Sequence, residues 1–222
     1  MIKHKDQRVG VFVDIQNMYY SARFLYGRHV NFGKILEESV ADRKLIRAIA
    51  YVIRTQTPEE NSFFEALSKQ GFEVKMKELQ VFSSGQKKGD WDVGLAVDAI
   101  RLSAKLDVIV LVSGDGDYLP LVEYLQNHGH LVEVVAFGES CSMRLKEAVD
   151  HFTDLSQDSS KYLLAQKGGA SKKWNPLNDG PNHADASTGA GSENEAPPLP
   201  TPTQPSRRRS FLPFLDDRKD KR

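Results

Sequence analysis

Short apolar runs and amphipathic stretches alternate along this chain. Residues 9–14, 45–53, 107–112 and 131–137 are almost wholly apolar and rich in β-branched side chains. Runs of that length and composition predict strands buried on both faces. Residues 72–79 alternate apolar with polar, which predicts a strand nearer the sheet edge, and residues 151–155 read as a short last strand. The intervening segments carry helical spacing: 17–26 ending at Gly27, 32–45, 58–69 with Thr57 as cap and Gly71 as stop, 92–105, 117–128, 140–149 and a closing turn at 159–164. Pro58 sits at the first helical position, where its missing N–H costs nothing. The polar, glycine-bearing stretch 83–90 predicts a loop. Strands alternating with helices at this spacing predict a mostly parallel central sheet in a three-layer α/β/α sandwich of Rossmann-like topology.

The pattern stops near residue 165. Residues 166–209 are rich in Gly, Ser, Asn and Pro and lack a periodic apolar face. Such a segment buries too little surface to offset its ordering entropy. The organisation expected is a folded domain over 1–164 and a disordered tail over 165–222. Pro197, Pro198, Pro200 and Pro202 favour extended polyproline geometry. Arg207-Arg208-Arg209 beside Phe211, Leu212, Phe214 and Leu215 offers a patch for a protein partner or RNA.

Charge changes the picture more than its total suggests. The formal net charge is zero, yet from Ala165 onward there are ten Lys/Arg and seven Asp/Glu, which leaves twenty basic and twenty-three acidic residues before it. A slightly acidic body does not hold nucleic acid by bulk charge, so recognition must be local or bridged by a metal. The single cysteine, Cys141, excludes an internal disulfide and reads as a small core residue. The first residues lack the apolar stretch of a signal peptide, and no apolar run approaches the roughly 18 residues that cross a bilayer. A soluble, cytoplasmic protein is expected.

Five aspartates fall where an α/β chain presents its ligand site. Asp14 closes the first strand, Asp92 opens a helix, and Asp115 and Asp117 follow the 107–112 strand in Ser113-Gly114-Asp115-Gly116-Asp117; Asp98 lies one and a half turns into the Asp92 helix. In open sheets, ligands bind outside the carboxyl ends of the strands. Two carboxylates about 4 Å apart repel by roughly 4 kcal/mol at an effective dielectric near 20, so acids gathered there call for a cation. Oxygen-rich, histidine-free ligation suits Mg²⁺ or Mn²⁺. Asp14, Asp92, Asp115 and Asp117 are the expected metal and catalytic residues, with Asn17, Asp98 and Ser113 in support. Asn17 orients a water or phosphate, or else caps its helix. Asp98 either joins the ligands or pairs with Arg101. The glycines allow a sharp turn after the strand and keep its mouth open. Arg23, Arg28, Lys87 and Lys88 are candidates for steering a nucleic-acid backbone. The six histidines form no catalytic arrangement.

Three blocks, Phe12-Val13-Asp14-Ile15-Gln16-Asn17, Lys88-Gly89-Asp90-Trp91-Asp92 with Leu95-Ala96-Val97-Asp98, and Ser113-Gly114-Asp115-Gly116-Asp117-Tyr118, together resemble the NYN domain of the PIN-like nuclease superfamily, most closely its LabA-like (DUF88) branch. The likeness spans about residues 8 to 155 and leaves the tail uncovered. The resemblance implies a PIN-like sheet and Mg²⁺- or Mn²⁺-dependent cleavage of RNA phosphodiester bonds by metal-activated water. Its metal acids fall on Asp14, Asp92, Asp115 and Asp117, its asparagine on Asn17, and its next helix acid on Asp98. A glycine common before that asparagine is Gln16 here, which narrows the pocket. Some members act as regulators, so the alternative is a non-catalytic module that binds RNA or protein. A small-molecule phosphatase fits less well, because Gln16 stands where an Asp-x-Asp nucleophile motif needs its second acid.

Overall fold

The computed structural model describes residues 3–54, 58–81 and 87–165. The expected tail lies outside the described residues. Among the described residues, eight strands and seven α-helices run in the order β1 (Arg8–Asp14), α1 (Ile15–Tyr26), α2 (Phe32–Val40), β2 (Lys44–Arg54), α3 (Pro58–Lys69), β3 (Glu73–Glu78), β4 (Gln80–Val81), β5 (Lys87–Lys88), α4 (Asp92–Ser103), β6 (Val108–Val112), α5 (Leu119–Asn127), β7 (Leu131–Ala136), α6 (Met143–Ala148), β8 (His151–Asp154) and α7 (Ser159–Tyr162). Six strands form one sheet in the order β3-β2-β1-β6-β7-β8, and every neighbouring pair is parallel. Strands β4 and β5 pair antiparallel, so part of the expected loop is a two-residue ladder.

The pleat of β1 explains the layers. Val9, Val11 and Val13 face a core that includes Met18, Ala22, Ile35, Phe64 and Leu67 from α1, α2 and α3. Phe12 faces a second core with Leu95 and Ala99 of α4, Val122 and Leu125 of α5, and Leu145 of α6. Both faces are therefore covered, as an all-parallel sheet requires. The chain leaves β1 toward β2 on one side, while β6 flanks β1 on the other. The topological switch point, where such folds open a ligand crevice, lies between the carboxyl ends of β1 and β6.

Three boundaries differ from the periodicity. Helix α2 ends at Val40, because Ala41 and Asp42 both take left-handed backbone, with φ 48° and 60°. The Arg43 guanidinium caps it, donating to Ser39 O at 2.8 Å and Val40 O at 3.0 Å while Glu133 holds the charge at 2.6 and 2.9 Å. The stretch 117–128 begins as a 3-10 turn, Gly116–Tyr118, before α5. Residues 140–149 become a 3-10 turn at Gly138–Ser140 and then α6, because the Ser142 N–H donates to Gly114 O at 2.9 Å and pulls the segment toward the switch point. Among the described residues no helix is long and apolar enough to cross a membrane.

Candidate active site

Asp14 is the last residue of β1 and the cap of α1, where its Oδ1 accepts the Asn17 N–H at 3.0 Å. A capping acid is common, but this one is only 8% exposed. Its Oδ2 accepts from the Tyr118 hydroxyl at 3.3 Å, and the same hydroxyl reaches Asp92 Oδ1 at 3.1 Å. Acids from two distant elements thus meet on one buried tyrosine. A phenol has a single proton, so when both carboxylates are ionised it satisfies one fully at any moment.

Electrostatics follow from that geometry. Burial pushes the Asp14 carboxyl up to about 6, the Asn17 amide pulls it back, and the negative charges of Asp92 and Asp115 add to the rise. Burial also raises Asp92, with the charges of Asp115, Asp90 and Asp117 in the same direction. Tyr118 is driven far above the usual phenol range by burial and by Asp14 and Asp92, so it stays a donor. No lysine or arginine pairs with Asp14, Asp92, Asp115 or Asp117 among the described residues.

Loop 113–117 is held from three sides. Buried Ser113 accepts the Asp115 N–H at 3.2 Å, Asp115 Oδ1 accepts the Asp117 N–H at 2.9 Å, and Asn17 Oδ1 accepts the Gly114 N–H at 2.9 Å. Asn17 is therefore neither a helix cap nor left to a ligand through that oxygen; it ties the start of α1 to the loop after β6. The two glycines serve close packing rather than a turn, since neither has positive φ. A Cβ on Gly114 would stand 3.0 Å from Cys141 Cα, and one on Gly116 would stand 2.8 Å from Ser142 Oγ. Asp115 is half-buried and Asp117 exposed. Burial raises the Cys141 thiol to about 11, which keeps it neutral and unreactive near pH 7.

Two residues with no role assigned from sequence position the site. Tyr118 is one. The other is Trp91, whose indole N–H donates to Val52 O at 2.8 Å and whose ring tilts against Tyr51 at 5.3 Å. That contact seats the first turn of α4, and with it Asp92. A Cβ on Gly94 would come within 2.5 Å of the indole, so only glycine leaves room for it. The sequence signal was the buried-type aromatic beside each acid, Trp91-Asp92 and Asp117-Tyr118.

Two candidates turn out to be engaged elsewhere. Asp98 accepts from Tyr51 at 2.9 Å and pairs with Lys75 at 2.6 Å, not with Arg101; it fastens α4 to β2 and β3. Arg28 donates to the carbonyls of Leu163 and Leu164, at 3.4 Å and at 2.9 to 3.1 Å, which commits it to the fold. Arg23 is exposed on α1. The side chains of Lys87 and Lys88 lie outside the described residues.

The donor set suits a hard divalent ion, being all oxygen. Among the described residues no three His, Cys, Asp or Glu side chains converge closely enough to ligate an ion as they stand. Mg²⁺-type ions do not need such a cage, since they are usually held by one or two carboxylates with waters and substrate phosphates. A buried aspartate with raised pKa, a second acid on the same hydroxyl and no cation among the described residues is a fitting start for such a site.

A fully parallel sheet with helices on both faces defines an α/β protein, of the class whose ligands sit outside the carboxyl ends of the strands. The chain belongs to the NYN domain family, which it matches over residues 8–156, and that family falls within the PIN-like nuclease superfamily. It is similar to the low amplitude and bright protein LabA of Synechococcus elongatus, 26% identical over 160 residues that cover 68% of this chain and 86% of the relative. An uncharacterized protein of Methanocaldococcus jannaschii is 29% identical over 100 residues, 44% of this chain and 38% of the relative. A crystal structure of a protein of unknown function from Vibrio parahaemolyticus superposes with a TM-score of 0.67 at 32% identity, covering 74% of this chain and 100% of that one.

Proposed function

We propose that this NYN domain is a divalent-metal-dependent ribonuclease using Mg²⁺ or Mn²⁺. The observation that carries the reading is the pair of carboxylates, Asp14 and Asp92, gathered on one buried Tyr118 hydroxyl at the switch point with Asp115 close enough to raise both. Asp14, Asp92, Asp115 and Asp117 would hold the ion or ions. When bound, such an ion supplies an activated water and neutralises charge developing at phosphorus. The chain's part is positioning. Asn17 and Ser113 fix the loop that presents Asp115, Trp91 fixes the helix start that presents Asp92, and Tyr118 keeps Asp14 and Asp92 together. Asp117, exposed beyond them, would reach the ion or an intervening water.

The test is cleavage of labelled single-stranded and structured RNA with Mn²⁺ or with chelator. Wild type is expected to give metal-dependent products, and Asp115→Asn to lose at least about a hundredfold in rate with its near-UV circular dichroism unchanged. Unchanged cleavage by Asp115→Asn would falsify the assignment. The second reading, a regulatory NYN module that binds RNA or protein without cutting, is favoured by one observation: no three acids converge in the described residues. Absence of metal-dependent products across several RNA classes would select it.

A further inference from the structure

Helix α1 lies along the rim that holds the acids. Its first turn is capped by Asp14 at the carboxyl end of β1. At its other end, Tyr26 packs on Phe137 with ring centroids 5.3 Å apart and donates to Glu139 Oε1 at 3.2 Å, just beyond the carboxyl end of β7. The helix therefore spans the ligand edge of the sheet from β1 to β7, passing the end of β6.

Its outward face has an unusual composition. Tyr20 is 42% exposed and Phe24, one turn on, is 87% exposed. Arg23 lies on the same side of the helix and has no carboxylate partner among the described residues. Residues three and four apart share a helix face. Single exposed apolar residues are ordinary. The outward stripe of α4, Val93, Val97 and Ile100, runs on to exposed Arg101 but is aliphatic, so it offers no ring for a base to stack on. On α1, by contrast, two aromatic rings flank an exposed guanidinium that has no carboxylate partner among the described residues. Rings accept stacked bases, and a guanidinium accepts a phosphate or stacks as well. The body is slightly acidic, so a local strip of this kind is what nucleic-acid recognition here requires.

We propose that Tyr20, Arg23 and Phe24 form a track for single-stranded RNA, on which unstacked bases lie against the two rings while the strand runs along the rim to the acid pocket. Duplex RNA would not use the rings, because its bases are already stacked and its grooves are read by shape. The track rests on the ribonuclease reading for its purpose but not for its measurement.

The experiment is fluorescence anisotropy of a labelled, unstructured RNA 12-mer with the full chain in chelator, where binding is read without cleavage. Tyr20→Ala/Phe24→Ala is expected to weaken binding at least about tenfold, as loss of stacking on two bases predicts. Arg23→Ala is expected to weaken it and to lower the salt dependence by about 0.7 in log–log slope. Binding of a duplex of equal length should be unaffected. Phe24 is almost wholly exposed, and alanine favours helix, so the variants should fold. Unchanged affinity in the double variant overturns the track, as does an equal loss on duplex. Failure of wild type to bind, together with a double variant that changes the protein's mass in solution, overturns it in favour of a protein interface. Metal-dependent cleavage with an unaffected double variant removes the track alone. Strip-dependent binding without cleavage in any metal removes the ribonuclease reading and leaves the track standing.

Discussion

The two edges of the sheet treat acids differently. Toward the amino-terminal edge two acids are held by cations: Asp107 pairs with Arg8 at 2.7 Å, and buried Glu133 pairs with buried Arg43 at 2.6 Å, with Lys3 at 3.7 Å. At the carboxyl-terminal edge, Asp14, Asp92 and Asp115 face a tyrosine hydroxyl, backbone amides and one another. Compensated charges hold the fold. Uncompensated ones cost stability and are retained where a ligand supplies the missing charge.

Substitutions at the two edges should therefore act with opposite sign. The largest effect is expected from Arg43→Met, which leaves Glu133 buried without its main partner and uncaps α2. A loss of about 3–5 kcal/mol in urea unfolding is expected for breaking a buried pair. A loss below about 1 kcal/mol would mean that Lys3 or water compensates Glu133.

Next in size is Asp14→Asn, which should stabilise the protein at pH 7.5. An acid whose pKa is raised on folding favours the native state only while protonated. Its contribution is present below the unfolded value near 4 and is lost as pH rises through about 6. Asparagine removes the charge and retains the capping oxygen. The gain should approach about 2 kcal/mol above pH 7 and vanish near pH 4, read from unfolding midpoints across that range. Equal midpoints for variant and wild type at pH 7.5 would show that the Asp14 charge is already compensated.

Tyr118→Phe is subtler. It keeps the packed ring and removes a hydrogen bond that lowers both Asp14 and Asp92. The Asp14 titration midpoint, followed by carboxyl carbon NMR, should move upward. An unmoved midpoint would exclude the hydroxyl as their common donor. Asp107→Asn, at the exposed pair with Arg8, should give the smallest change in unfolding midpoint of the series.

Much of the fold was legible because its signals are local. The apolar run of β1, the Gly27 stop and the Pro58 start each announce themselves within a few residues. The early end of α2 was not legible, because it depends on Arg43 reaching Glu133 across 90 positions of sequence. The site divides in the same way. Asp14, Asp92 and Asp115 could be placed by their positions at element ends. The role of Tyr118 could not, since its acceptors lie 104 and 26 residues away. Asn17 to Gly114 spans 97 residues, and Asp98 finds Tyr51 and Lys75 at 47 and 23, not Arg101 on its own helix. Helical phase shows which residues share a face but not what crosses from a neighbouring strand.

That the uncompensated edge is a cation site is tested most directly by calorimetric titration of Mn²⁺ into the full chain at pH 7.5, beside the Asp14→Asn variant. Saturable binding by wild type and at least about tenfold weaker binding by the variant are predicted, since removing a ligand charge weakens hard-cation affinity. No saturable binding by wild type, or equal binding by both proteins, would contradict it.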